Sequence, residues 1–311
     1  MPRSSAKRGA SFSRILGWLG RVSRLYKDPR KEIPPDLNSG GGLSCENIGL
    51  AFSYGYSSLC GRRTTMEDFF DARICSVDGL LVGLFGIFDG HGGSRAASYV
   101  KENLFKTLLK HPMFVTDTSH GIAEAYKQTD LEYLASSADD QLSDDGSTAL
   151  IAVLVGDKLI IANLGDCRAV LSKAGEAVPL SSDHKPVRLD ERMRIEEAGG
   201  VVQWEAGCWR VGGILAVSRA FGNRRLKEFV SADPEIQELV IKEDVDFLVI
   251  ASDGLWDLIQ NQDAINLVKS IADAEAAAIR LAEEAFRRGS IDNITCIVVR
   301  FHHDRQSSSM Q

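Results

Sequence analysis

The sequence of 311 residues has no apolar run long enough to cross a membrane. Its longest uncharged apolar stretch, Gly79–Phe88 (GLLVGLFGIF), is about half the length that a spanning helix requires. Cysteine is sparse, and no C-x-x-C pair occurs: Cys45, Cys60, Cys75, Cys167, Cys208 and Cys296 are scattered singly. This spacing argues against a disulfide framework or a zinc site and for reduced thiols inside a cell. No signal-peptide core with a small-residue cleavage site follows the N-terminus. Between Cys45 and Phe301 there is no repeat, no low-complexity tract and no second linker. With 44% hydrophobic and 25% charged residues, the composition is that of an ordinary globular chain.

What charge there is has been distributed unevenly. Residues 1–36 carry nine basic side chains against Asp28, Glu32 and Asp36, a net +6, so a formal total of −7 leaves −13 for the remainder. An acidic body excludes the phosphate-neutralising surface of a nonspecific nucleic-acid binder. It also allows carboxylates to be gathered around a cation, although a solvated acidic surface gives the same balance. Pro34–Gly42 (PPDLNSGGG) reads as a linker on its Pro, Gly, Ser and Asn content. The expected organisation is therefore a basic tail and linker over 1–44, one domain over 45–302, and a frayed end over 303–311.

Within the body, β-rich runs dominate. Expected strands are Leu50–Tyr56, Phe69–Ser76, Leu80–Phe88, Ser147–Val155, Leu159–Asn163, Ala169–Ser172, Phe247–Ala251 and Ile294–Arg300. Leu80–Phe88 and Phe247–Ala251 are apolar without alternation, as strands covered on both faces would be. Helical periodicity marks Ser94–Lys110, Asp190–Ala198, Asn261–Ile271 and Ala274–Arg288. Strands in runs and helices in pairs point to an α+β fold, a layered sandwich, over a doubly wound sheet.

Acidic residues recur where strands end. FGIFDGHGG stops an apolar strand at Asp89, and FLVIASDGLWD does the same at Asp253-Gly254. Either alone is an ordinary Asp-Gly turn; two of the same build suggest a shared site. GRRTTMED places Glu67 and Asp68 beside Arg62 and Arg63, LGDCR puts Asp166 between two strands, and IDNIT starts the last strand at Asp292. These are oxygen donors without a matching set of His or thiolate ligands, a chemistry suited to Mg²⁺ or Mn²⁺ and less to zinc.

Taken in order, RRTTMED, FDGHGG, DGSTA, NLGDCRAVL, DHKP, EEAGG, LAVSRAFGN, ASDGLWD and DNIT resemble the metal-dependent serine/threonine protein phosphatases of the 2C type, and closely the plant members. The resemblance runs from about Phe52 to Phe301. It implies a four-layer α-β-β-α sandwich with two central, mainly antiparallel sheets, and a cleft holding two Mg²⁺ or Mn²⁺ ions, with a weaker third. By the same resemblance Asp89 bridges both ions and the Gly90 carbonyl binds one. Asp253 and Asp292 match ligands of the other. Glu67 and Asp68 match residues holding metal-bound water, Asp257 a more distant acid, and Asp166 the ligand of the third ion. Arg63 matches the phosphate clamp, and His91 the acid that protonates the departing Ser or Thr oxygen. Two ions so placed lower the pKa of a shared water, which then attacks phosphorus. His184 in DHKP reads as structural. Cys167 and Asn223 stand where many relatives have Ser and Asp; at Asn223 the expected consequence is looser local capping. Gln203–Val211 (QWEAGCWRV) reads as a flap-like insertion whose Trp204 and Trp209 either pack in a core or meet a protein substrate.

The implied substrates are phosphorylated proteins, and the expected state is a monomer that binds no nucleic acid. A non-catalytic member that binds signalling proteins, and a hydrolase of small phosphate esters, remain alternatives. In the tail, Phe12, Ile15, Leu16, Leu19, Val22, Leu25 and Tyr26 gather on one side of a helical wheel with Arg14, Arg21 and Arg24 opposite. That pattern predicts peripheral membrane contact through residues 12–27 of a cytoplasmic or nuclear enzyme, with an organelle transit peptide as the other reading of the same residues.

Overall fold

The computed structural model describes residues 36–44, 50–136 and 144–303. The tail helix expected over 12–27 lies outside them. No helix among the described residues is long and apolar enough to cross a membrane.

Two antiparallel sheets form the centre. The first contains β1 (Asn38–Leu43), β2 (Ala51–Leu59), β15 (Ile294–His302), β14 (Val245–Ala251), β8 (Arg168–Lys173) and β9 (Glu176–Pro179), in that spatial order. The second runs β12 (Phe221–Gly222), β5 (Gly146–Ser147), β4 (Leu80–His91), β6 (Ala149–Val155), β7 (Lys158–Leu164) and β13 (Glu235–Val240), with β3 (Asp68–Val77) also paired to β4. A separate hairpin joins β10 (Val202–Glu205) to β11 (Cys208–Val211).

Each sheet is buried on both faces, and this is why its central strands read as continuous apolar runs. Phe52, Phe85, Ile87, Leu150, Leu248, Ile250 and Ile297 fill the space between the sheets. On the outside of the second sheet, α1 (Arg95–Lys110) and α2 (Thr118–Ser136) cover Leu84, Val153 and Ile160. On the outside of the first, α4 (Asp253–Trp256), α5 (Asn261–Val268) and α6 (Ala274–Arg287) cover Val249, Phe247 and Val298. The result is the expected four-layer sandwich. A smaller cluster of Ile195, Val202, Val211, Val217 and Val230 joins α3 (Leu189–Glu197) to the hairpin.

One expectation needs correction. Residues assigned to a linker contribute β1, which pairs with β2 from Asn38↔Ser58 to Leu43↔Ser53. Gly40 and Gly42 lie so close to Tyr56 and Tyr54 that a Cβ would meet the Tyr56 hydroxyl at 2.6 Å and the Tyr54 ring at 2.7 Å. The glycines let an edge strand lie flat against two aromatic side chains, and the body begins before residue 44.

Candidate active site

The site forms where strands of both sheets end at the same edge of the sandwich. β4 finishes in Asp89-Gly90-His91, β14 leads through Ser252 into Asp253 at the start of α4, β7 and β8 are joined by the turn carrying Asp166, and Asp292 precedes β15. A cavity of about 490 Å³ opens there, lined by Arg63, Glu67, Asp89, Gly90, His91, Asp166, Asp253 and Asp292. Carboxylate oxygens of Asp89, Asp166 and Asp253 lie within 4.8 Å of one another. A second cavity of about 520 Å³ beside β2 and β3 is lined by Tyr56, Phe70, Asp71 and Lys101; among the described residues, the converging acid triplet belongs to the first.

The backbone positions these groups closely. Thr148 Oγ1 accepts from the Asp89 N–H at 3.1 Å, and the Thr148 N–H donates to the Asp89 carbonyl at 2.9 Å. The Gly90 N–H donates to the Glu67 carbonyl at 3.0 Å, and a Cβ on Gly90 would meet that carbonyl oxygen at 2.7 Å and Ala97 Cβ at 3.0 Å. Asp68, opposite Asp89 across β3 and β4, is buried and accepts from Ser252 Oγ at 2.8 Å.

Electrostatically the cluster is overloaded with negative charge. Burial, and then the facing charges of Asp68, Asp253, Asp166 and Asp292, push Asp89 well above the usual carboxylate range. Burial and Asp166 do the same to Asp253, against the opposing pull of Lys185. Asp68 is pushed up to about 6, by burial first, while bonds from Ser252 and Thr295 hold it down. An oxygen-only set with too little positive charge is the donor chemistry that a hard divalent cation satisfies.

Of the acids singled out in the sequence, Asp89, Asp166 and Asp253 converge, Glu67 and Asp292 line the same cavity, and Asp68 sits buried behind it. Asp257 stands one turn beyond Asp253, exposed and outside that lining. Arg63 is 54% exposed at the mouth and donates from Nη2 to Asp292 at 2.6 Å. His91 also lines the cavity; burial lowers its pKa, opposed by a hydrogen bond to Asn223.

Several residues were not legible as site components. Lys185, in DHKP, forms an ion pair with Asp166. Asn293, in DNIT, accepts from the Glu67 N–H at 2.8 Å and donates from Nδ2 to the carbonyls of Cys60 and Thr65 at 2.9 Å and 3.1 Å, tying the Arg63 loop to the Asp292 loop. Asp145, in DGSTA, caps α1 from a distant part of the chain, accepting from the Ala96 N–H at 3.0 Å and from Tyr133 OH at 2.7 Å. Only DNIT offered a signal, a short polar residue directly after the assigned Asp292. His184 is fully buried, and its Nδ1 accepts from the N–H of Gly165, in the turn that carries Asp166, at 3.0 Å.

Two further readings change. Trp204 is 60% exposed at the hairpin, edge-to-face with Trp209 at 5.7 Å, so core packing does not describe it. Asn223 does more than cap locally: its Oδ1 lies 2.8 Å from His91 Nε2.

A family model described as protein phosphatase 2C matches residues 52–294. The chain is 58% identical over 290 residues to an Arabidopsis thaliana protein named probable protein phosphatase 2C 59, covering 93% of this chain and 91% of that one. A rice protein named probable protein phosphatase 2C member 13, mitochondrial, is 61% identical over 81% of this chain and 69% of its own. In fold the chain is similar to the crystal structure of serine-threonine phosphatase 2C from Toxoplasma gondii, with a TM-score of 0.73 and 24% identity over 86% of this chain and 100% of that one.

Proposed function

The chain belongs to the protein phosphatase 2C family, whose members are metal-dependent protein-serine/threonine phosphatases, and we propose that its acidic cleft hydrolyses phosphoserine and phosphothreonine in phosphoproteins. The observation that carries this reading is the convergence of Asp89, Asp166 and Asp253 in one cavity with Arg63 and His91. Asp89, Asp253 and Asp292, with the Gly90 carbonyl, are the proposed ligands of two Mg²⁺ or Mn²⁺ ions. Glu67, Asp68 and Asp257 support them from further out, and Asp166 serves a weaker third. Bound there, the ions supply Lewis acidity and lower the pKa of a water molecule.

The chain's own groups do the rest. Arg63 reaches the mouth of the cleft with one Nη on Asp292, so its planar fork is placed to hold phosphoryl oxygens. His91 donates a proton to the Ser or Thr oxygen as it leaves, which matters because an alkoxide is a poor leaving group. The Asp89-Gly90 backbone, fixed by Thr148 and Glu67, keeps its donors aimed at one point. A non-catalytic binding role is not favoured, because every group this chemistry needs is present.

Activity on a phosphothreonine peptide should require added Mg²⁺ or Mn²⁺ and disappear with EDTA; full turnover in metal-stripped buffer would overturn the reading. We also propose a monomer in the cytoplasm or nucleus, with peripheral membrane contact through residues 12–27. Sedimentation tests the first. Fusion of residues 1–40 to a fluorescent protein tests the rest, since diffuse fluorescence would remove the membrane contact and import with cleavage would favour a transit peptide.

A further inference from the structure

We propose that Asn223 is the positioning residue of His91, holding the imidazole in the tautomer protonated at Nε2 so that the transferred proton is carried by Nδ1. This rests on the phosphatase reading of the cleft.

The topology creates the pair. Gly146 of β5 is opposite His91 of β4 on one side and Gly222 of β12 on the other, so a strand of two residues brings His91 and Asn223 together across 132 positions of sequence. Asn223 follows β12 in the left-handed conformation, φ 49° and ψ 54°, and is 4% exposed. Its N–H donates to the Asp145 carbonyl at 3.0 Å, and its own carbonyl accepts from Leu226 at 2.9 Å. The backbone is thus held on both sides of the side chain. A Cβ on Gly146 would collide with both Asn223 Oδ1 and His91 Nε2, so glycine there leaves the room in which the two meet.

The direction of the bond follows from donor and acceptor counts. Asn223 Nδ2 donates to the Asp144 carbonyl at 3.3 Å. A carbonyl can only accept, which fixes the amide with Oδ1 toward His91, 2.8 Å from Nε2. An amide oxygen cannot donate either, so Nε2 carries the hydrogen. In the neutral ring the free lone pair is then on Nδ1, which has no hydrogen-bond partner among the described residues. When the ring is charged, the proton on Nδ1 is the one it can release without breaking the bond to Asn223. In that step Nδ1–H breaks and an O–H bond forms on the departing serine or threonine oxygen. The ring is left neutral with Nε2–H intact, and solvent returns the proton. Asn orients the ring as a carboxylate would, but adds no further charge beside the acid cluster.

The test uses the full chain. Long-range ¹⁵N–¹H NMR, with His91 assigned by comparison with His91→Gln, should show Nε2–H in the neutral ring with and without Mg²⁺. Asn223→Gly keeps the left-handed backbone and removes the acceptor. It should relax the tautomer preference and slow hydrolysis of a phosphothreonine peptide by ~10-fold or more, part of the ~100-fold or greater effect typical of a general acid. Hydrolysis of p-nitrophenyl phosphate, whose leaving group needs little protonation, should fall far less. Asn223→Asp retains an acceptor oxygen and should restore the Nε2–H signature together with most of the lost rate. A neutral ring protonated on Nδ1, or equal losses on both substrates, would overturn the proposal. An Nε2–H ring in a protein inactive on phosphothreonine with Mg²⁺ or Mn²⁺ would instead overturn the phosphatase reading beneath it.

Discussion

Asp68 and Asp89 stand directly opposite each other on the antiparallel pair β3–β4, Asp89 lining the cleft and Asp68 buried behind it. Like charges at facing positions destabilise a sheet by up to about 1 kcal/mol. The arrangement costs stability in the metal-free protein and is offset when a cation is bound. Asp89→Asn is therefore expected to raise the melting temperature in EDTA by about 2 °C, while abolishing turnover and any rise in melting temperature on adding Mg²⁺. Calorimetry in EDTA and in Mg²⁺ checks both; a lower melting temperature in EDTA would show that the facing carboxylates do not repel.

Gly254 and Gly55 give a matched pair of packing tests. A Cβ on Gly254 would collide with the Asn293 carbonyl, beside the loop that holds Asp292, whereas one on Gly55 would collide with the backbone at Ala274 and Glu275, where α6 begins. Each alanine variant should lose about 1–3 kcal/mol, measured by urea unfolding. Only Gly254→Ala should also weaken Mg²⁺ binding, since only it separates Asp253 from Asp292. Equal Mg²⁺ affinity in the two variants would mean that the two loops tolerate separation.

The parts of the fold that were legible are those where one physical signal dominates. The apolar runs ending in Asp89 and Asp253 correspond to strands buried on both faces, and the change from apolar run to Asp-Gly marked where each ended. Helix α2 gave no such signal, because its buried face includes Thr118, Gly121, Thr129 and Asp130 among the apolar residues. Strand β1 looked like a linker because its glycines serve contact with Tyr54 and Tyr56, a reason visible only once the partner strand is placed. In the site, residue types announced the carboxylates. The bonds Asn223–His91, Lys185–Asp166 and Asn293–Glu67 join distant segments and depend on register, which no local pattern encodes.

Arg63 keeps one Nη on Asp292 while remaining half exposed at the cavity mouth. A lysine retains the charge and loses the planar fork. Loss of one charged hydrogen bond is worth about 1.5–3 kcal/mol, so Arg63→Lys should lower kcat/KM by about ten- to a hundredfold. Most of the loss should appear in KM if the clamp holds substrate and transition state alike. Steady-state kinetics on a phosphothreonine peptide decide this, and an unchanged kcat/KM would remove Arg63 from phosphate recognition.

Glu191 controls the segment that leads to Asn223. It is 1% exposed on α3 and accepts from Arg219 Nε and Nη2 at 3.0 Å and 2.7 Å, from Arg194 Nη2 at 2.9 Å and from Ser218 Oγ at 2.6 Å. Burial disfavours its charged form, but Arg219, Arg194 and Ser218 outweigh it and hold the carboxyl well below the usual range. A depressed folded pKa gives stability that is complete above the unfolded value, near 4.3, and is lost as pH falls through that value toward the folded one. Glu191→Gln keeps the shape but removes the buried charge that pairs with Arg219 and Arg194, at a cost of about 3 kcal/mol at neutral pH. Urea unfolding of both proteins from pH 7 down to about 3 should therefore show a gap that is constant above about pH 5 and narrows below it. A gap that stays the same throughout would mean that the ion pairs at Glu191 contribute nothing that protonation can remove.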